Sequence, residues 1–289
     1  MSEPRDELGT PASRWRHGCR KIRESADWVD FVGPDWVKTI MDVEVKDRFH
    51  AKQGRSIGRW TLTAPDGRTL VVYLKRHYIL PRSHGLLSVL FPRKARSPGL
   101  EEYEHLAWAA AQGIPVPRPV AAGEILLPGG RLQSFLALEE LTNMVPLHEG
   151  VPQAAEQLPA PEFQRWKDSL SSELVRLSHE FHDRSTFHRD WYFCHFYIDE
   201  ADTKQVPENW RGRVTVIDLH RMIHQSFAIR TRAKDLAQLL YSSDVPGVTD
   251  EDRQGFWKAY RKGVWFSGLL AWFVRMKWRL YRRHNAPKG

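Results

Sequence analysis

The chain has 289 residues, of which 43 are basic and 35 acidic, so its formal net charge is +8. Hydrophobic residues make up 42% and charged residues 27%, a balance that excludes general disorder and is typical of a folded protein. This length suffices for one large domain or for two lobes around a cleft. With only Cys19 and Cys194, the chain has no disulfide framework, and we expect a reducing compartment.

The chain shows no sign of a targeting or membrane-spanning segment. Residues 1–18 are charged and lack the apolar core of a signal peptide. The longest mainly apolar run, residues 263–274, is too short to span a bilayer. We therefore expect a cytoplasmic protein. Basic residues on both sides of this run leave open an attachment to a membrane face.

The first half of the chain is predicted to be a sheet with one inserted helix. Residues 1–38 are polar and basic, and we interpret them as an extension with one helix. From residue 43 to residue 78 the signals are those of strands and turns. A small-residue turn at 53–58 lies between two strands, and a hairpin turn at 65–68 joins two β-rich runs. A helix is predicted at 100–112, and two short strands flank a Pro-Gly-Gly turn at 128–130.

The second half is predicted to be mainly helical. Apolar residues recur at spacings of three and four along one face of a long helix: Phe163, Trp166, Leu170, Leu174, Leu177 and Phe181. Two short apolar stretches with charged residues follow, and the chain reads as helical from residue 233 onward. We therefore predict an α+β fold with an extension at 1–38, an antiparallel sheet lobe at 39–141 and a helical lobe at 142–289.

Two charged residues in the first half have the pattern of a nucleotide-binding pair. Phosphoryl transfer from ATP needs a cation on the nucleotide phosphates, carboxylates that hold Mg²⁺, and a carboxylate that accepts the proton of the attacking hydroxyl. Lys75 ends the β-rich run VVYLK, and Glu102 lies on the next predicted helix, where its carboxylate can pair with the lysine.

The carboxylates of the second half follow in the order that protein kinases use. The tripeptide His188-Arg189-Asp190 comes directly after the long helix, as a catalytic loop does. Asp218 ends the run VTVID, in the position of the metal-binding aspartate. Asp235 opens a later helix, where kinases often keep a buried aspartate that braces the catalytic loop. This joint order predicts a bilobal, protein-kinase-like fold that uses ATP and Mg²⁺.

The motifs themselves resemble one family within that fold. HRDWYFCHF at 188–196 and IDLHR at 217–221 are similar to the lipopolysaccharide kinase family of the Kdo/WaaP type, and the likeness covers about residues 43–260. The resemblance implies that Lys75 contacts the nucleotide phosphates with Glu102 as its partner, that Asp190 is the catalytic base and that Asp218 binds Mg²⁺. It also implies a kinase for a sugar hydroxyl, of heptose or Kdo, in the lipid-linked core oligosaccharide.

Three features depart from the protein-kinase pattern. The segment 53–58 has only Gly54 and Gly58, so the nucleotide loop predicted there is not the usual glycine-rich motif. His195 stands five residues after Asp190, where kinases place a metal-binding asparagine. Because imidazole is a poorer magnesium ligand than a carbonyl oxygen, His195 either binds metal or positions the loop or the substrate. His220 replaces the glycine that usually follows the metal-binding aspartate.

Two basic and aromatic stretches, 76–98 and 265–283, are candidates for contact with a membrane surface. The alternative for the second is an ordinary last helix that packs its tryptophans on the helical half. The sequence does not indicate an oligomeric state.

Other functions remain open at this stage. A protein kinase, a small-molecule phosphotransferase or a non-catalytic scaffold would have the same fold. A zinc site could use the nitrogen and sulfur ligands His182, His188, Cys194, His195 and His220, although their spacing is not typical of one. Nucleic-acid binding fits the charge, but no recognition motif occurs, so we expect no nucleic-acid partner.

Overall fold

The computed structural model describes residues 5, 6, 9–50, 54–226 and 228–284. The chain forms two compact units. The first comprises Met1–Trp108 with Pro117–Leu141, and the second Ala109–Val116 with Thr142–Gly289. No helix in the described ranges combines the length and the apolar character needed to cross a membrane.

The first unit is built on an antiparallel sheet. Its strands are β1 (Arg5–Asp6), β2 (Cys19–Glu24), β3 (Lys46–His50), β4 (Arg55–Thr63), β5 (Thr69–His77), β6 (Pro119–Leu127) and β7 (Arg131–Glu139). Its helices are α1 (Pro11–His17), α2 (Trp28–Val32), α3 (Trp36–Thr39), α4 (Arg82–Leu90) and α5 (Pro98–Ala111). Among the described residues the strand order is β1-β2-β6-β7-β5-β4-β3. The predicted hairpins β4–β5 and β6–β7 and the helix α5 are confirmed.

Aromatic residues hold the start of the chain on this sheet. Trp28 and Trp36 are buried, with ring centroids 5.7 Å apart, and Trp36 meets Phe135 of β7 edge-on at 5.4 Å. The sequence analysis expected one helix in residues 1–38. The structure instead pairs β2 with β6 and packs two short helices on the sheet. Residues 19–41 are therefore part of the core of the first unit.

Two further segments differ from their predicted form. The turn expected at 53–58 is shorter, because β4 begins at Arg55 and Gly58 pairs with both Asp47 and Leu74 inside the sheet. Gln53 lies outside the described residues. The connector at 76–98 contains the helix α4, which the sequence analysis left without structure.

The second unit is mainly helical. Its helices are α6 (Leu147–Gln157), α7 (Ala160–His182), α8 (Ile229–Ser242), α9 (Asp250–Tyr260) and α10 (Ser267–His284). Its short strands are β8 (Met144–Pro146), β9 (Thr186–Phe187), β10 (Phe196–Asp199), β11 (Thr215–Val216) and β12 (Ile223–His224). The predicted stripe of α7 is confirmed, since Trp166, Leu170, Leu174, Leu177 and Phe181 are buried. The helix α6, which contains Pro152, was not predicted from its proline-rich sequence.

Two antiparallel strand pairs bracket the motif segments of the second unit. β9 ends just before His188 and pairs with β12, which begins just after the IDLHR segment. β10 begins just after His195 and pairs with β11, which ends just before Asp218. Backbone hydrogen bonds therefore fix both ends of the segments 188–195 and 217–222 side by side.

Candidate active site

Lys75 and Glu102 form an ion pair within the first unit. Lys75 lies on the central strand β5, between β4 and β7. Its Nζ is 2.7 Å from Oε1 of Glu102, which is buried, while the lysine side chain keeps 19% of its surface exposed. A buried carboxylate fixes the position of an ammonium group, and the exposed part can still meet an anion.

The approach of α5 to the sheet depends on one glycine. A Cβ atom added at Gly99 would lie 2.6 Å from the carbonyl oxygen of Phe135. The first turn of α5 therefore packs directly on the backbone of β7, and a larger residue would push it away. This close packing sets the reach of Glu102, one turn further along, toward Lys75.

Asp235 of α8 fastens the loop that follows α7. Its fully buried carboxylate accepts hydrogen bonds from the backbone N–H groups of His188, at 2.9 Å, and Arg189, at 2.8 Å. The prediction of a buried aspartate that braces this loop is confirmed. A carboxylate that accepts two backbone N–H bonds holds a loop more firmly than a neutral acceptor does.

Polar residues further along the same face of α8 extend this brace. Gln238 accepts from the N–H of Trp191 at 3.2 Å and donates to the carbonyl of Arg189 at 3.0 Å. Ser242 accepts from the N–H of Phe193 at 2.9 Å, and Lys234 also donates to the Arg189 carbonyl. The sequence analysis missed these residues. For Gln238 and Ser242 the signal was their spacing on one helix face, three residues after Asp235 and then four residues further; Lys234 stands directly before Asp235.

His188 joins the two motif segments as a neutral imidazole. Its Nε2–H donates to the carbonyl of Ile217 at 3.0 Å, and its Nδ1 accepts from the N–H of Asp190 at 3.3 Å. A backbone carbonyl can only accept and a backbone N–H can only donate, so these two contacts determine the tautomer of the imidazole. Burial lowers the pKa of His188 to about 4. This geometry suits a positioning role for His188.

Two residues of the motif segments adopt left-handed backbone conformations. Arg189 has φ 70° and Asp218 has φ 62°, a region that costs a non-glycine residue about 1–3 kcal/mol. The hydrogen bonds from α8 hold Arg189 in this conformation. Strain retained at both segments is typical of a site whose geometry serves a function.

Asp190 is largely buried and forms an ion pair with Arg221. Nη1 of Arg221 lies 3.1 and 3.2 Å from the two carboxylate oxygens of Asp190. Arg221 is the last residue of the IDLHR segment, and the sequence analysis gave it no role. The pair fixes the orientation of the Asp190 carboxylate, and nearly half of the arginine side chain stays exposed.

Asp218 lies between two histidines. Its Oδ1 is 2.8 Å from Nδ1 of His220, and its Oδ2 is 3.8 Å from Nε2 of His195. His195 donates from Nδ1 to the backbone carbonyl of Asp190 at 2.6 Å, which ties the loop to the imidazole. Burial opposes the charged form, but hydrogen bonds to Cys194 and this carbonyl and the charge of Asp218 raise the pKa of His195 to about 9.

The carboxylate of Asp218 is a suitable ligand for magnesium. Mg²⁺ is usually held by one or two protein carboxylates together with substrate phosphates and water. Asp218 is about one-third exposed, so its oxygens can reach such an ion. Within the described ranges, no three His, Cys, Asp or Glu side chains form a group that could hold a metal ion.

The predicted nucleotide loop contains one turn glycine and one strand glycine. Gly54 has φ 56°, and its carbonyl accepts from the N–H of Tyr78 at 2.8 Å. Gly58 lies within β4. Arg59, the residue directly after this segment, donates to both oxygens of Glu140 at 2.6 and 2.8 Å. The nucleotide role of the two glycines stays a prediction.

Comparison with known proteins identifies the family. The model of the lipopolysaccharide kinase (Kdo/WaaP) family matches residues 56–260. The lipopolysaccharide core heptose(I) kinase WaaP of Pseudomonas aeruginosa is 31% identical over 190 residues, which cover 63% of this chain and 69% of that protein. WaaP of Escherichia coli K12 is 31% identical over 149 residues, which cover 51% of this chain and 54% of the relative.

A solved structure extends the likeness to the fold. WaaP in complex with acyl carrier protein superposes with a TM-score of 0.65 at 27% identity, and the match covers 90% of this chain and 99% of that chain. The predicted α+β, protein-kinase-like fold is thereby confirmed. With the motif segments held as described above, these matches show that the chain belongs to the lipopolysaccharide kinase (Kdo/WaaP) family.

Proposed function

We propose that the chain transfers the γ-phosphate of ATP to a hydroxyl of a heptose in the lipopolysaccharide inner core. The observation that carries this proposal is the orientation of Asp190. Its loop is fastened by Asp235, and its carboxylate is held by Arg221 of the segment that also carries Asp218. Heptose is favoured over Kdo because the matched relatives are named heptose(I) kinases.

Each residue of the site has a proposed role in this reaction. Asp190 accepts the proton of the attacking sugar hydroxyl and orients the oxygen toward the γ-phosphorus. Lys75, fixed by Glu102, holds the nucleotide phosphates. Asp218 provides a ligand for Mg²⁺, which when bound offsets phosphate charge. Catalysis then depends on position and electrostatics, because the protein forms no covalent bond with the phosphoryl group.

The remaining residues keep the loop in place. His188 is a neutral link between the two motif segments, and the backbone of Arg189 is held by α8. His195 donates to the Asp190 carbonyl, a contact that favours positioning of the loop over direct metal binding. Gly54 and Gly58 are proposed to lie near the nucleotide, as the sequence analysis predicted.

Phosphate transfer to a defined acceptor tests this function. The purified chain is incubated with Mg²⁺, ATP labelled in the γ-phosphate, and either delipidated core oligosaccharide or generic protein substrates. We expect label on one heptose, located by mass spectrometry. Label on protein alone would favour a protein kinase. The absence of both transfer and Mg-ATP binding would favour a non-catalytic scaffold.

An acyl carrier protein is a second proposed partner. The solved relative is titled as a complex with that protein, and the second unit of this chain contains a cavity of about 600 Å³. Its lining is largely apolar and comes from α7, α8, α9 and α10, with Trp166, Leu170, Leu174, Leu236 and Val274 among the lining residues. A cavity of this kind suits an acyl chain.

Thermal unfolding tests this second partner. We expect the acylated carrier protein to raise the melting temperature of the chain and the non-acylated form to do so less, because only the first fills the cavity. Equal shifts for both forms would contradict the acyl site.

The acceptor also implies a location. A core oligosaccharide linked to lipid A lies at a membrane surface, so we propose that the chain works as a peripheral protein on the cytoplasmic face of the inner membrane.

A further inference from the structure

The helix α10 has two apolar faces. Its inner face packs in a cluster with α8 and Tyr260, where Leu270 and Val274 are buried. A second set of large apolar side chains is exposed: Leu269, Trp272, Met276 and Leu280 at 40–55%, and Trp265, just before the helix, at 92%. Packing within the second unit explains the apolar residues of the inner face, but it does not explain the exposed apolar residues.

The exposed side chains form one continuous stripe. The four in α10, Leu269, Trp272, Met276 and Leu280, are spaced by three, four and four residues, which places them above one another on a helix of 3.6 residues per turn. Trp265 lies four residues ahead of Leu269, just before the helix. From residue 269 to residue 280 the stripe is about 16 Å long. We call Trp265, Leu269, Trp272, Met276 and Leu280 the outer stripe.

Charge around the outer stripe has a single sign. Within its 18 residues, α10 carries five Lys and Arg side chains and neither Asp nor Glu. Helical geometry places Arg275 and Arg279 on one side of the stripe and Lys277 on the other, and Arg283 continues the line beyond Leu280. An apolar strip bordered by basic residues on both sides is complementary to an anionic surface that also accepts apolar groups.

We propose that the outer stripe of α10 docks on a lipid bilayer that contains anionic headgroups, with the helix axis in the plane of the interface. The tryptophans and leucines enter the boundary between headgroups and acyl chains, and the flanking arginines contact the headgroups. A second copy of the chain is a poor occupant, because two faces of like charge repel each other. Through this surface the proposed enzyme would reach its membrane-borne acceptor; only the identity of that acceptor rests on the proposed function.

Vesicle sedimentation tests the proposal with the full-length chain. Vesicles of phosphatidylcholine alone are compared with vesicles in which part of the lipid is phosphatidylglycerol. We expect the wild type to sediment with the anionic vesicles only and to be released by salt, because headgroup contacts are screened. The variant Leu269→Ser/Trp272→Ser should lose this binding, and its melting temperature should be unchanged because both side chains are exposed.

Two matched charge variants distinguish the effect of charges on α10 from the effect of the net charge of the chain on lipid binding. Arg279→Gln/Arg283→Gln removes two charges beside the outer stripe and should weaken the binding. Arg165→Gln/Arg211→Gln removes two exposed charges elsewhere on the second unit and should leave it unchanged. Equal effects of the two pairs would show that only net charge matters and would overturn the docking face.

Two further outcomes would also overturn the proposal. One is a wild type that stays in the supernatant with anionic vesicles. The other is a serine variant that keeps lipid binding and loses binding to acyl carrier protein, which would assign the stripe to a protein partner. Phosphate transfer to delipidated oligosaccharide is measured on the same variants and should be unchanged. A wild type that transfers no phosphate would contradict the proposed function. The docking face would then still be tested by the vesicle experiments, which do not depend on transfer.

Discussion

Substitution of the buried brace, Asp235→Asn, is expected to destabilise the second unit and to loosen the loop that begins at His188. In the wild type, the two oxygens of Asp235 accept from the N–H groups of His188 and Arg189. The amide of asparagine keeps one acceptor oxygen and turns an NH₂ group toward the other N–H. One backbone donor therefore loses its partner in a fully buried position.

The magnitude follows from these contacts. A hydrogen bond to a charged group contributes about 1.5–3 kcal/mol, and a buried donor left without a partner costs about 1–3 kcal/mol. Removal of the buried charge offsets part of this loss, so we expect the free energy of unfolding to fall by about 2–4 kcal/mol. The left-handed conformation of Arg189 depends on the same bonds, so the loop should also relax.

Three measurements on the Asp235→Asn variant test this reasoning. Urea unfolding reports the free energy, hydrogen exchange reports the amides of His188 and Arg189, and phosphate transfer reports kcat. The control is Asp244→Asn, because that side chain is 82% exposed and its ion pair with Arg253 should contribute at most about 1 kcal/mol. An Asp235→Asn variant with the stability, amide protection and kcat of the control would refute the brace.

Three other residues carry predictions of their own. Lys75→Ala should weaken Mg-ATP binding, measured by calorimetry, because the phosphates lose their cation and Glu102 is left buried without this partner. Unchanged affinity would exclude the proposed role. Arg221→Ala should lower kcat about 10–100-fold while the KM for ATP is retained, and Arg221→Lys should recover part of the loss, since the pair with Asp190 orients the base. Equal kcat values for the three forms would contradict this positioning. Burial of His188 should make the free energy of unfolding fall as the pH drops from about 6.5 toward 4, by up to about 1.4 kcal/mol per pH unit. In this range the imidazole is protonated in the unfolded chain and stays neutral in the folded chain, where its pKa is about 4. Urea unfolding of wild type and His188→Gln at pH 7 and pH 5 checks this. An identical change in the free energy of unfolding between the two pH values in both proteins would contradict it.

Much of the site follows from the order of short motifs along the chain. Lys75 is recognisable because it ends the β-rich run VVYLK, and Glu102 because it lies on the predicted helix that follows. In the structure β5 continues to His77, and the helix α4 lies between β5 and α5. Asp235 is recognisable because a helical pattern begins near it after both motif segments, although α8 begins at Ile229 and Asp235 lies inside the helix. These signals are local, and the fold then brings Lys75 to Glu102 and Asp235 to the loop at 188–189.

The features that sequence reasoning missed depend on long-range contacts. β2 reads as a polar basic segment, yet it pairs with β6, and Lys21 is buried against Glu124, 103 residues away. The pair of Arg221 with Asp190 spans 31 residues and has no periodic signal. In both cases a charged residue is buried or oriented by a partner that only the folded chain supplies.

The interpretation of the last helix as an ordinary packed helix is confirmed for one of its faces, and contact with a membrane stays a prediction. Its inner tryptophan and tyrosine, Trp278 and Tyr281, pack on the helical unit, as an ordinary last helix does. Trp265 and Trp272 are exposed in the outer stripe. Because two apolar stripes overlap in one helical sequence, periodicity cannot assign side chains to faces, and the structure is needed to separate them.

The identity of Asp190 as the base for a sugar hydroxyl is tested most directly by single-turnover transfer of labelled γ-phosphate to core oligosaccharide, with Mg-ATP affinity measured on the same samples. We expect Asp190→Asn to bind Mg-ATP as the wild type does and to transfer phosphate about 10²–10⁴-fold more slowly. An Asp190→Asn variant that phosphorylates heptose at the wild-type rate would contradict that role.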